Sequence, residues 1–420
     1  MDTIYALATA PGKAGVAVIR LTGPRSFDVA GAMCGSLPMA RQAALRKIRS
    51  KDGDLLDTAL VLVFEKGASF TGEDVVEFQV HGSQAVIQAI LRELAQDLRL
   101  ADPGEFTRRA LENGCLDLVQ VEALADLIDA ETEFQRQQAQ EVLSGALSKR
   151  VDGWRRALVD AAALLEATID FADEDVPMDV VPDVERLLGA VVADLKTELR
   201  GSDAAERIRD GFEVAIMGPP NAGKSTLLNA IARRNVALTS DIAGTTRDVI
   251  ELRVDLNGLP VTFLDTAGLR ETSDPLEAAG IDLAVARAER ANLRIWLSTG
   301  SDDLVPEVDR VIVAKDDNGQ QGGVSGATGA GVTSLLDWIA DTLLERVPQQ
   351  HLLIRDRHVA AMEGALNGLL ESLEMIRREE VPELIALEIR QASQALSEIV
   401  GDVDVEDLLD SIFSRFCIGK

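Results

Sequence analysis

Apolar and polar positions alternate over Gly15–Leu21, Thr58–Phe64 and Val75–Val80, which predicts three strands. The spacing changes to a helical one over Gln84–Leu98. From residue 118 onward it stays helical through Val121–Gln140, Ala146–Ile169 and Val184–Arg200. The stretch Phe171–Pro182, with its acids and two prolines, interrupts that block. Short apolar runs then return at Val214–Met217, Glu251–Leu256, Leu259–Leu264 and Val311–Val313. Asn257-Gly258 between the middle two is a strong hairpin signal. Gly319–Gly331 is glycine-rich and reads as a mobile loop. Helical spacing resumes at His351–Arg377, Glu383–Val400 and Val405–Phe416, and no internal repeat stands out.

The pattern predicts an α/β plus α protein. A small α/β domain spans 1–117. A helical domain is built from 118–209 and 349–420, and an α/β nucleotide domain at 210–348 is inserted between its halves. Insertion is tolerated where the inserted domain's ends lie close together.

The segment joining the Val214–Met217 strand to the helix at Thr226–Ile231 reads Gly218-Pro219-Pro220-Asn221-Ala222-Gly223-Lys224-Ser225. It fits G-x-x-x-x-G-K-[ST], and its strand–turn–helix context makes an ordinary turn with an incidental Lys-Ser the weaker reading. Such a loop aims backbone N–H groups and a helix N-terminus at one point, which suits a triphosphate. Lys224 is expected to reach the β- and γ-phosphates, and the Ser225 hydroxyl to ligate Mg²⁺. Ala222, Gly223 and Thr226 complete the cradle.

Asp265-Thr266-Ala267-Gly268 ends the Leu259–Leu264 strand. An Asp there can hold the Mg²⁺ shell, and Gly268 lets a backbone N–H approach the γ-phosphate. Ser240-Asp241-Ile242-Ala243-Gly244-Thr245-Thr246-Arg247-Asp248 lies between these motifs. One of its threonines can close on Mg²⁺ while a γ-phosphate is present and release afterwards. A polar surface loop is the plainer alternative.

After Val311–Val313 comes Ala314-Lys315-Asp316-Asp317. The usual guanine signature is N-K-x-D; Ala314 lacks the amide, while Lys315 and Asp317 remain. A carboxylate here accepts two hydrogen bonds from guanine that adenine cannot supply. Ser325-Gly326-Ala327 resembles a last guanine loop in weakened form.

Leu269 follows Asp265–Gly268, where many small GTPases place a water-orienting Gln. Another device must take that role. Asn221 and the Ser240–Thr245 backbone are suited to a monovalent cation beside the phosphates. Glu277 can position the attacking water through a second water; from the residues alone a solvated helix position is the plainer reading.

The 420 residues carry 42 Lys and Arg against 70 Asp and Glu, a formal net charge of −28. Broad non-specific contact with nucleic acid is disfavoured, so an RNA substrate needs a local basic patch or a basic partner. Three cysteines (34, 115 and 417) and three histidines (81, 351 and 358) suit neither a disulfide framework nor a metal cluster, and imply a reducing compartment. A start of Met-Asp without a basic region argues against a secretory signal, and no apolar run approaches a membrane span. A cytoplasmic location is expected.

The runs Gly218–Asn229, Asp241–Asp248 and Asp265–Thr272 together resemble the MnmE (TrmE) family of potassium-dependent tRNA-modifying GTPases. So do Ala8–Gly12, Ser69–Asp74, Pro103–Ala110, Leu116-Asp117-Leu118 with Val121–Ile128 after it, and the terminal Cys417-Ile418-Gly419-Lys420. The resemblance covers the whole chain. It implies that Asn221 binds K⁺ by its side chain, with backbone help from Ser240, Ile242 and Thr245, and that Ser225 and Thr246 ligate Mg²⁺. It puts Glu277 on the family's catalytic Glu. It implies that the N-terminal domain dimerises and binds 5-formyl- or 5,10-methylene-tetrahydrofolate, with Arg20 and Glu77 on the folate contacts. Cys115 stands where the family has a further, basic contact. Cys417 falls on a catalytic thiol and Lys420 among the cofactor contacts, although an idle tail thiol is the plainer reading of a cysteine so placed. The implied activity is GTP hydrolysis within modification of C5 of the wobble uridine, U34, of tRNA, with the flavin-dependent partner MnmG (GidA) and no membrane role. A ribosome-assembly or signalling GTPase is the rival; it would be expected to carry a basic RNA-binding appendage, which the sequence lacks.

Overall fold

The computed structural model describes residues 2–170, 180–234, 251–265, 286–300, 307–346, 355–401, 412–413, 416 and 419. The chain divides into two compact units, residues 1–125 with 397–420, and residues 126–396.

In the first unit the order is β1 (Ile4–Leu7), β2 (Val16–Thr22), α1 (Ser26–Cys34), β3 (Ala44–Arg49), β4 (Leu55–Phe64), β5 (Val75–His81), α2 (Gln84–Leu94), β6 (Arg99–Leu100), α3 (Glu105–Glu112) and α4 (Leu118–Asp129), the last running past the unit's boundary. The strands form one sheet in the order β3-β4-β5-β2-β1-β6, so β3 and β6 are its edges. All neighbours are antiparallel except β1 and β6. Alternation sends Ala17, Ile19 and Leu21 of β2 into the core with Val61, Val76 and Phe78. Each such large side chain contributes roughly 1.5–3 kcal/mol by leaving water. The opposite face carries Val16, Val18 and Arg20, less buried.

In the second unit the order is α5 (Glu133–Leu143), α6 (Ala146–Asp170), α7 (Val181–Leu199), α8 (Ser202–Asp210), β7 (Phe212–Met217), α9 (Lys224–Arg234), β8 (Glu251–Leu256), β9 (Leu259–Asp265), β10 (Leu293–Ser298), β11 (Arg310–Val313), α10 (Val332–Glu345), α11 (Asp356–Arg377) and α12 (Pro382–Val400), which runs past residue 396. The sheet order is β11-β10-β7-β9-β8, parallel except for the β8–β9 hairpin. Both faces of β7 are covered, and Phe212, Val214 and Ile216 are fully or almost fully buried. The hairpin turns at Asn257 (φ 53°) and Gly258 (φ 90°), the two left-handed positions that an Asn-Gly pair accepts. Helix α7 packs against both α6 and α11, although the whole sheet lies between α7 and α11 in sequence.

The single helix expected over Val121–Gln140 is two helices, α4 and α5. Thr132 caps α5: its hydroxyl accepts from Gln135 N, and the Gln135 side chain reaches back to the Thr132 backbone N–H. This reciprocal cap satisfies two orphan donors and favours a fresh start over continuation. Strands β1, β3, β6 and β10 and helices α1, α3, α8 and α10 add to the elements anticipated from spacing; most are too short for a periodic signal, although α10 has 14 residues. The helix expected over Val405–Phe416 lies almost wholly outside the described residues, as does most of the break expected over Phe171–Pro182, whose last two residues instead open α7. Among the described residues no helix is long and apolar enough to cross a membrane.

Candidate functional site

The loop 218–225 leaves the end of β7, the middle strand of its sheet. Register places Asp265, at the end of β9, opposite Ile216 of β7. The loop therefore turns into α9 beside that carboxylate, and the Ser225 hydroxyl donates a 2.8 Å hydrogen bond to Asp265 Oδ2. Ser225 and Asp265 thus present adjacent oxygens, the donor type that a hard divalent cation takes. Lys224 is buried, and its Nζ donates to Gly218 O at 2.8 Å and Pro219 O at 3.1 Å. Burial lowers the Lys224 pKa, while the Asp265 carboxylate acts in the opposite direction. The ammonium is held at the loop's mouth, where an incoming phosphate oxygen can replace the two carbonyls.

The loop needs left-handed or glycine-type backbone at three places, Gly218, Asn221 and Gly223, the last with φ 98°. Gly218 has φ 150°, and a Cβ there would lie 2.7 Å from Leu297 O. Asn221 is exposed with φ 62°, a left-handed conformation that Asn tolerates better than most residues.

Against the start of α9 lies a cleft of about 200 Å³, lined in part by Thr226, Leu297, Ala314, Lys315, Asp317 and Ser325. Gly326 closes one side: a Cβ there would lie 2.5 Å from both Leu227 N and Thr226 C. Ser325 Oγ donates to Asp317 Oδ1 at 2.6 Å, leaving Asp317 exposed at the cleft. Its neighbour Asp316 faces the other way. That carboxylate is buried and accepts from Gln320 N, Gln321 N and Gly323 N at 2.9–3.1 Å. These backbone bonds, foremost the one from Gly323, hold its pKa below the usual carboxylate range against the effect of burial.

This corrects the reading of 319–331 as a mobile loop. Its glycines permit close approach: a Cβ at Gly323 would meet Val313 O at 2.3 Å, and one at Gly331 would meet Gly323 O at 2.0 Å. Ser325 N also bonds Ala330 O at 2.9 Å. Asp316 is the functional neighbour that sequence reasoning missed.

In the first unit Arg20 and Glu77 are cross-strand partners. Arg20 Nε lies 2.9 Å from Glu77 Oε1, and the Arg20 guanidinium stands 5.8 Å from the ring centres of Phe70 and Phe106. The two phenylalanines were not anticipated. Cys115 is exposed beside the same 69–74 loop: a Cβ on Gly72 would lie 2.9 Å from its sulfur. Gly419 lies against Leu7 and Ala8, just beyond Ala6, the register partner of Arg20. The chain end returns to this unit at that residue, and at Phe413 and Phe416, which pack on Val121.

Ser240, Asp241, Ile242, Ala243, Gly244, Thr245, Thr246, Thr266, Ala267, Gly268, Glu277, Cys417 and Lys420 lie outside the described residues. Among the described residues no three His, Cys, Asp or Glu gather as a metal cluster.

A mostly parallel sheet whose central strand feeds a glycine-rich loop and a helix N-terminus, with an acid ending the adjacent strand, defines a P-loop nucleotide-binding protein. The MnmE helical domain model matches residues 118–417, and the model of the GTP-binding protein TrmE N-terminus matches residues 3–115. The tRNA modification GTPase MnmE of Roseobacter denitrificans is 56% identical over 428 residues, and that of Cereibacter sphaeroides (strain ATCC 17029) 57% over 430, each comparison covering all of both chains. The Era protein of Aquifex aeolicus, solved with GDP and AlF4⁻, is 25% identical over 38% of this chain and 66% of its own, with a TM-score of 0.24. The chain belongs to the MnmE family of tRNA modification GTPases.

Proposed function

We propose that this chain hydrolyses GTP in a potassium-dependent reaction that serves modification of C5 of U34 in certain tRNAs. In this reading the carbon comes from a tetrahydrofolate, and a homodimer of the chain works with the flavin-dependent subunit MnmG in the cytoplasm. The observation that carries the reading is the pairing of Ser225 with Asp265 beside Lys224, on a chain similar from end to end to MnmE proteins.

Within this reading residues 210–348 are a GTPase domain inserted into a helical domain of 118–209 and 349–420, and 1–117 bind folate and dimerise. The packing of α7 on α11 supports the insertion. Lys224 and the loop N–H groups hold the phosphates. Ser225 and Thr246 ligate Mg²⁺, with Asp265 at the edge of its shell. Asp317 reads guanine, with Ser325 fixing its carboxylate. Asn221, aided by the 240–245 backbone, holds K⁺, and Glu277 places water. Bound cations offset the charge that develops on the phosphates during transfer. Arg20 and Glu77 contact the folate, and Cys417 acts on its chemistry. Cys115, a thiol where relatives of this type carry a basic residue, weakens the folate site by one charge.

GTP turnover in K⁺ against Na⁺ tests the central claim. Turnover should rise strongly in K⁺, and Asn221→Ala should lose the response while still binding nucleotide. Equal rates in both salts would overturn the potassium reading.

A further inference from the structure

The chain is strongly acidic, yet residues 29–51 contain none of its 70 acids and five of its 42 basic residues: Arg41, Arg46, Lys47, Arg49 and Lys51. Three of these lie on β3, an edge of the first unit's sheet. Arg41 continues the line alongside β4, its backbone N–H bonding Val63 O at 2.8 Å. Arg41 itself lies in a turn with φ 61°, and from Ala44 to Arg49 the extended strand spans roughly 17 Å at 3.3 Å per residue.

The partners of these groups matter more than their number. Lys51 is neutralised by Asp97 at 2.8 Å. Among the described residues the other four have no carboxylate within 4.0 Å, and Asp52 and Asp54 in the next turn reach none of them. The guanidinium groups are held by uncharged carbonyls instead. Arg41 bonds Ala68 O at 3.1 Å, Arg46 bonds Ser36 O at 2.7 Å, and Arg49 bonds Gly53 O at 2.8 Å. Each is oriented with its charge left for an external anion, and a guanidinium retains free N–H donors in a fork that matches phosphate.

Resting on the tRNA reading above, we infer that the β3 edge is the surface by which this chain contacts the phosphate backbone of its tRNA substrate. The charges follow the strand rather than gathering around a point: Lys47 and Arg49 are exposed, while alternation puts Arg46 on the side of buried Ile48, where it reaches Ser36 O. Edge strands also use charge to repel other strands. A chain of net charge −28 could meet that need with acids, whereas this edge is wholly basic.

The test is binding of an unmodified tRNA transcript to the full chain, by fluorescence anisotropy across 50–200 mM KCl. The comparison is between wild type and the triple variant Arg41→Gln, Lys47→Gln, Arg49→Gln. GTP turnover and light scattering, both expected unchanged, show that the variant is folded and assembled as before. The expected result is weaker binding, with the slope of log K against log salt reduced by roughly 0.7–0.9 per charge removed, or about 2–3 in all. Tight binding by wild type with an unaltered slope in the variant overturns the inference and leaves the tRNA reading standing; the charges then only guard the edge. A variant that changes oligomeric state with unchanged RNA affinity assigns the edge to a second copy of the chain and also overturns it. No binding by wild type refutes the inference, while modification assays with the flavin partner judge the tRNA role separately.

Discussion

Asp316 and Asp317 are adjacent carboxylates with opposite tasks: Asp316 is turned into its own loop and takes backbone N–H bonds from Gln320, Gln321 and Gly323, while Asp317 is exposed at the cleft and held by Ser325 Oγ at 2.6 Å. Lys315, with φ 59°, supplies the left-handed step before them. The pair separates base recognition from loop rigidity, and the two can be broken independently.

Asp317→Asn should weaken GTP binding by roughly ten- to a hundredfold, taking about 1.5–3 kcal/mol for a hydrogen bond to a charged group. Xanthosine triphosphate should bind the variant better than GTP, because an amide donor suits the carbonyl that xanthine carries where guanine has its amino group. Fluorescent nucleotide titration reads both. An unchanged preference for GTP would move base recognition elsewhere.

Asp316→Asn should lower thermal stability and leave the GTP-to-xanthosine preference intact. The folded pKa of Asp316 is lowered, so its stabilisation is complete above the ordinary carboxylate value and fades as pH falls through the folded one. The gap in Tm between wild type and Asp316→Asn should therefore be widest near neutrality and shrink below about pH 4, where the unfolded carboxyl begins to protonate. A gap that widens in acid would contradict the assignment.

Gly326→Ala tests the close approach of the base loop to α9. The new Cβ must displace backbone 2.5 Å away, so overpacking of about 1–3 kcal/mol is expected. The cost should appear as weaker GTP binding with little change in kcat, measured by steady-state turnover. Wild-type KM in this variant would show that the loop yields without penalty.

Glu277→Ala should lower kcat by about two orders of magnitude, or about 2.7 kcal/mol, at nearly unchanged GTP affinity. The expectation rests on family resemblance and on Leu269, which cannot orient water. Normal single-turnover hydrolysis in the variant would return Glu277 to the solvated surface.

These sites differ in how far the sequence exposed them. The phosphate loop was legible because its task demands Gly218, Gly223, Lys224 and Ser225 at fixed spacing between a strand and a helix. The start of α5 was also written, as Thr132 with Gln135 three residues on, but the longer apolar periodicity masked it. Asp316 and Asp317 could not be told apart, since the direction of each side chain follows from backbone angles in an irregular loop. Arg20 and Glu77 stand 57 positions apart and meet only through strand register; resemblance suggested them, whereas Phe70 and Phe106 needed the folded sheet. The bare charges of β3 were visible as letters, but their lack of carboxylate partners was not.

The tail offers a test that spares the thiol itself. Gly419 has φ 99°, and a Cβ there would lie 2.3 Å from Leu7 O and 2.9 Å from Ala8 Cα. Both strain and contact therefore oppose any side chain at this position. Gly419 sits beside the strand pair that carries Arg20, so displacing it should disturb the chemistry proposed for Cys417, two residues before it in sequence. Gly419→Ala and Cys417→Ser should then share one phenotype: GTP hydrolysis near wild type, with tRNA modification abolished in a reconstituted assay with the flavin partner. The two variants part in thiol chemistry. Cys417 should become more reactive toward a maleimide probe in Gly419→Ala, because the tail is released. If Gly419→Ala modified tRNA normally while Cys417→Ser did not, docking would be dispensable and the thiol alone would matter. If both modified tRNA normally, the tail would be a bystander and Cys417 would have no part in the chemistry.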